Sequence, residues 1–156
     1  MFDSLLSKTL KLRLFLNTYL PFLGAGVRVD HISDDFLAID VRMPLYRGNK
    51  NYVGTHFGGS LYAMTDPFFM LMLLENLGKN YIVWDKAAHI DFIKPARGTV
   101  KAYFRLTQSE IERVRLAAES GKAVLPEYTI DILAEDGQVV ARVLKTLYVR
   151  KKKPSM

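Results

Sequence analysis

The 156-residue sequence contains no cysteine. That absence excludes disulfides, iron–sulfur clusters, thiolate zinc sites and cysteine nucleophiles together, and it suits a reducing, cytoplasmic setting. Histidine is scarce too. His31, His56 and His89 are not spaced as a ligand cluster, so neither a metal nor a cofactor is expected. No long apolar run is free of charge. The nearest approach, residues 57–74, carries Asp66 near its middle. A mid-span carboxylate costs about 2.5–3.5 kcal/mol on insertion, so a buried helix is expected rather than a membrane span. The N-terminus lacks the ordered charged, apolar and small-residue regions of a signal peptide, because Lys8, Lys11 and Arg13 interrupt it. It reads instead as a helix over residues 1–20 that packs on its own domain and ends before Pro21. Gly24 and Gly26 lack the third glycine of a dinucleotide site. Tyr62 stands where a serine-hydrolase elbow built on Gly58-Gly59-Ser60 would need glycine.

What is present describes one domain over residues 1–156. The composition is 49% hydrophobic, 24% charged and 12% aromatic, ordinary for a globular chain. Of the net charge of +6, four positives lie at Arg150, Lys151, Lys152 and Lys153. They read as a solvated basic tail over residues 150–156. Nucleic-acid binders usually spread their basic residues over a face, so no nucleic-acid partner is expected.

Hydrophobic periodicity orders the elements. Val27 and Val29, then Leu37, Ile39, Val41 and Met43, read as two strands joined by a turn at Ser33-Asp34-Asp35. After a loop from Pro44 to Thr55, one helix is expected from Gly58 to about Leu77, stopped by Gly78. Being apolar nearly all round, it belongs inside a core, with Leu61, Met64, Leu71 and Leu74 buried. Four alternating strands follow, with Ile82, Trp84, Ala88, Ile90 and Phe92 on the inner face of the first. Asp136-Gly137 signals a hairpin between the last two. Ser109 with Glu112 predicts a capping box for a short intervening helix. The fold class is therefore α+β, an antiparallel sheet wrapped around one long central helix.

The chemistry concentrates in Asn51-Tyr52-Val53-Gly54-Thr55-His56-Phe57-Gly58-Gly59-Ser60 and in Asp66 two turns later. Free N–H groups at a helix start favour developing negative charge, although Gly58 and Gly59 could equally serve close packing. Acidic residues are rarely buried unpaired, and Asp66 has no obvious local partner among Met64, Phe68, Phe69 and Met70. It is either a base in a cleft or a cap for a helix restarted at Pro67.

Asn51, Gly54, Phe57-Gly58-Gly59 and Asp66 resemble the Asn-x-x-Gly-x-x-His-Gly-Gly motif, with its later acidic residue, of the hotdog-fold acyl-CoA thioesterases of the phenylacetate-pathway type. Together with Tyr81-Ile82-Val83-Trp84-Asp85-Lys86 and Phe92-Ile93-Lys94-Pro95-Ala96-Arg97-Gly98, they look like a little-characterised branch of that superfamily. The resemblance covers essentially the whole chain. It implies hydrolysis of an acyl-CoA or other acyl thioester at a site between two subunits of a homodimer or tetramer. In that reading Asp66 is the catalytic carboxylate, the Gly59 N–H polarises the carbonyl and Asn51 positions the attack. Gly58, Phe57 and Ser60 line the substrate, while Lys94 and Arg97 meet the CoA phosphates. The family's histidine is Phe57 here, with His56 one residue early as its substitute. The rival readings are a non-catalytic acyl-thioester binder and a hotdog hydratase or dehydratase, which would need a histidine paired with a helix glutamate, here Glu75.

Overall fold

A computed structural model describes residues 7–153. Six antiparallel strands form one sheet in the order β1-β2-β4-β5-β6-β3. They are β1 (Arg28–Ile32), β2 (Ala38–Met43), β3 (Tyr81–Phe92), β4 (Val100–Arg105), β5 (Glu127–Leu133) and β6 (Val139–Lys151). Alternation places Ile39, Val41, Met43, Ala102, Phe104, Ile132, Val143 and Leu147 on the covered face. The hairpin at Asp136-Gly137 forms as expected, with Gly137 at φ +80° and Asp136 Oδ1 accepting from the Gln138 N–H at 3.0 Å.

The central helix is interrupted rather than continuous. Helix α3 (Gly58–Ala63) and helix α4 (Phe68–Leu77) meet at a turn through Met64, Thr65, Asp66 and Pro67. Pro67 supplies no N–H to the ladder and disfavours helical geometry in the residue before it. Thr65 Oγ1 donates back to the Tyr62 carbonyl at 2.8 Å, and α4 restarts with the Leu71 N–H donating to Pro67 O at 3.0 Å. The restart changes the buried face. Leu61 and Met64 lie in the core as expected, and so do Phe68, Phe69, Met72, Leu73 and Leu77. Leu71 is only half-buried and Leu74 is 39% exposed, which corrects both assignments. Phe68 packs between Phe22 and Phe104, and Phe69 between Phe104 and Tyr128.

Other boundaries move for local reasons. Helix α1 spans Lys8–Thr18, and residues 1–6 lie outside the described residues. Pro21 opens the second short helix, α2 (Leu20–Ala25), because its fixed φ suits a first turn. Helix α5 (Gln108–Ala118) is capped by Thr107, whose hydroxyl accepts from the Glu110 N–H at 3.2 Å, and not by Ser109. The same capping chemistry acts two residues earlier, where the chain leaves β4. Arg150 and Lys151 belong to β6 rather than to a tail; Lys151 ion-pairs with Glu119. In β3 a bulge between Asp85 and Ala87 resets the phase. Tyr81 and Val83 are therefore the buried residues. Trp84 lies outside, stacked on Tyr148 with centroids 4.5 Å apart. From Trp84 to Phe92 no residue of β3 is buried.

The two sheet edges differ. Asn17 of α1 accepts from the Val29 N–H at 2.8 Å and donates to the Val29 carbonyl at 2.9 Å. Arg13 Nη1 donates to Asp30 O at 2.9 Å. The β1 edge is thus covered by a helix, whereas the 12-residue β3 forms the opposite edge.

Candidate active site

The loop leading into α3 is held from within. Asn51 Oδ1 accepts from the N–H groups of Val53 and Thr55, and its Nδ2 donates to Thr55 Oγ1 at 2.8 Å and to His56 O at 3.1 Å. Asn51 is therefore the organiser of this loop as well as part of its wall. His56 is buried, and its Nε2–H donates to the Gly98 carbonyl at 2.9 Å. Burial pushes the imidazole below its ordinary pKa, against the opposing effect of that bond, so the ring is neutral with Nδ1 as its bare nitrogen. Glu75 pairs with Lys8 at the far side of α4, so the two partners of a dehydratase are not brought together.

The glycines serve a close approach. A Cβ on Gly58 would sit 3.0 Å from the Phe92 ring, and one on Gly59 would meet the exposed Phe57 ring. The N–H groups of Gly58 and Gly59 find no acceptor among the described residues, as the first turn of a helix dictates. Ser60 is buried just behind them.

Beside this helix start lies a cleft of about 350 Å³, walled by Asn51, Thr55, His56, Gly58, Phe92 and Lys94. A second cleft, of about 340 Å³, lies around Lys94, Arg97, Glu135 and Gln138. Lys94 is common to both and bonds Gln138; Arg97 Nη1 reaches Gly54 O at 3.4 Å. Asn51, His56, Gly58, Lys94 and Arg97 are thus gathered around the helix start. Asp66 is not among them.

Asp66 sits at the break between α3 and α4, its side chain 43% exposed. No side chain caps α4, which removes the capping role for Asp66. Nor does it lack a partner: Lys145 Nζ of β6 lies 3.5 Å from its Oδ1, 3.2 Å from Asp85 Oδ2 and 3.3 Å from the Tyr62 hydroxyl. The Lys145 side chain is only 1% exposed. Burial alone would push this ammonium down, but Asp66 and Asp85 outweigh it and hold it above the ordinary lysine range. Asp85 is pushed up to about 6, chiefly by burial and then by the neighbouring Asp66, with Lys145 opposing. The buried oxygens of Asp85 receive no hydrogen bond of good geometry. Sequence reasoning missed Lys145 and Asp85. The signal was there: Lys145 interrupts the inward series Val143, Leu147 and Val149.

Among the described residues no group of three His, Cys, Asp or Glu side chains could hold a metal, and no helix is long and apolar enough to cross a membrane. A family model described as a domain of unknown function, DUF4442, matches residues 7–149. The chain belongs to that family. No curated protein matches this DUF4442 chain. Solved structures do share its fold. A Pseudomonas aeruginosa protein of unknown function superposes with a TM-score of 0.80 at 20% identity, over 89% of this chain and 93% of that one. A thioesterase from Haemophilus influenzae gives 0.65 at 17% identity, over 90% and 88%. The PaaI protein from the phenylacetic acid degradation operon of E. coli gives 0.58 at 14% identity, over 91% of each chain. The fold of this DUF4442 member is the hotdog, a sheet wrapped around a helix.

Proposed function

We propose that the protein is an acyl-thioester hydrolase, with acyl-CoA as the substrate class and a homodimer as the working unit. The observation that carries this reading is Asp66, a partly exposed carboxylate at the break between two apolar helices, held by a buried ammonium. Fold kinship with proteins named thioesterases supports it. Gly59 lies in the first turn of α3 and Asp66 in the turn beyond its end, seven residues on and roughly 10 Å away at about 1.5 Å per residue, too far to act on one carbonyl within one chain. Two copies joined through their β3 edges bring the Gly59 N–H of one towards the Asp66 of the other.

In this reading Asp66 takes a proton from water as the water oxygen attacks the thioester carbon. The Gly59 N–H receives the developing oxyanion; as the carbon–sulfur bond breaks, Asp66 returns its proton to the leaving sulfur, giving the free acid and CoA. Phe57, Gly58 and Ser60 line the acyl path, Asn51 keeps the loop in place, and Lys94 and Arg97 meet the phosphates. General-base catalysis contributes about 10²–10⁴-fold, so Asp66→Asn should lower kcat by that factor with KM little changed. Assay of both forms against a panel of acyl-CoAs checks this, and an Asn variant as fast as wild type refutes it. One observation favours a second reading, a non-catalytic acyl-thioester binder in the cytoplasm. The Nε2 of His56 is committed to Gly98, which leaves it no proton for a substrate carbonyl. Binding of acyl-CoA without turnover by wild type would select the binder.

A further inference from the structure

Lys145 is the least expected side chain in the fold. A lysine on an inward strand position replaces a core residue, and a buried charge is tolerated only when paired. Here it has two carboxylates within 3.5 Å, Asp66 from the helix break and Asp85 from β3, and the Tyr62 ring 5.1 Å from its Nζ. Asp85 continues the inward series of Tyr81 and Val83 on β3, opposite Leu147 of β6, just before the bulge. One carboxylate would have neutralised the ammonium. Two leave the group with a surplus negative charge once both are ionised, with Lys145 and the Asp85 oxygens buried and Asp66 partly open to water.

We propose that Lys145 and Asp85 are positioning residues for Asp66: one buried ammonium is shared between two carboxylates, so the reactivity of Asp66 as a base follows the charge of Asp85. With Asp85 protonated, Lys145 serves Asp66 alone and neutralises it. With Asp85 ionised, the ammonium is divided between two carboxylates, and less of its charge offsets Asp66 as water is deprotonated. The inference rests on the reading of Asp66 as the catalytic base. The charged and titratable groups facing the cluster are few. Tyr62 comes from α3, Asp66 from the α3–α4 turn, Asp85 from β3 and Lys145 from β6. Across from Lys145 on β5 is Tyr128, whose hydroxyl donates to Glu110 of α5 at 2.8 Å. Burial and Glu110 push that phenol up, so it stays neutral through this range.

The test uses the full chain and two readouts. The first is the pH dependence of kcat for acyl-CoA hydrolysis by wild type, Asp85→Asn and Lys145→Met. Wild type should lose rate below an acid limb at about 6, where Asp85 takes up its proton. Asp85→Asn should lack that limb while KM stays within about twofold. The second is a carbon-13 titration of the Asp85 carboxyl in wild type and Asp66→Asn, which needs no substrate and no folded lysine variant. Removing the Asp66 charge should lower the Asp85 midpoint, and Lys145→Met, if it folds, should raise it. An acid limb unchanged in Asp85→Asn, or an Asp85 midpoint that ignores Asp66→Asn, overturns the positioning role. If Asp66→Asn is inactive in that case, the proposed function still stands. No hydrolysis by wild type overturns both.

Discussion

At the scale of single residues, sequence and structure part company over partners. Asp66 was visible as a carboxylate in the wrong surroundings, because acidic side chains avoid apolar helices. Its counter-ion was not, because Lys145 lies 79 positions away and only the folding of β6 onto the helix break joins them. His56 shows the same limit: its offset from the glycine pair was legible, but not its hydrogen bond to a carbonyl 42 residues later. Asp85 carries a stability consequence. A carboxyl raised to about 6 from an ordinary value near 3.9 binds its proton more tightly when folded. Its contribution is complete below the unfolded value and is lost as pH rises through about 6. Asp85→Asn has no such loss. Urea denaturation should therefore show the variant gaining on wild type as pH rises from about 4 to about 7. Glu110 and Asp131 are held below the usual carboxylate range by Arg113 and Arg142, and they act in the opposite sense. They are common to both proteins and cancel in the difference.

At the scale of elements, strand pattern and turn chemistry were readable because each is local. The alternation in β2, β4 and β5 and the Asp136-Gly137 hairpin need nothing beyond their own neighbours. The central helix was harder, since an apolar pattern around Pro67 fits one helix or two. Its break rotates α4 so that Leu73, and not Leu74, faces the sheet. Leu73→Ala should cost about 2–5 kcal/mol, as full burial of a leucine implies. Leu74→Ala, at 39% exposure, should cost less than about 1 kcal/mol. Chemical denaturation of the two variants side by side measures the phase of α4 directly. A reversed order would restore the uninterrupted helix. The bulge in β3 was equally hidden, because an extra residue in a strand leaves composition unchanged while turning every later side chain over.

At the scale of the whole molecule, the unburied stretch from Trp84 to Phe92 stands out. Exposed edge strands are normally short, charged or covered, and β3 is long. Pairing of β3 with β3 of a second copy is the arrangement the proposed site requires. Sedimentation at micromolar concentration should then give a dimer or a higher even assembly. Replacing Ala88 with proline, which removes a backbone donor in mid-strand, should shift it towards monomer and abolish thioester turnover together. A fully active monomer would separate the site from assembly. The α+β architecture was legible because it follows from the order of patterned segments, whereas the strand order in the sheet and the partner across its edge belong to no segment at all.

Asn17 gives the molecule a terminus in a second sense. Its amide occupies both hydrogen-bonding groups of Val29, so an incoming strand finds no free ladder there. A sheet that can lengthen at only one margin closes after a single joining step, whereas two open margins would propagate into a filament. In the proposed β3-paired assembly, growth stops at a closed pair because α1, through Asn17 and Arg13, covers the β1 margin, far from any chemistry.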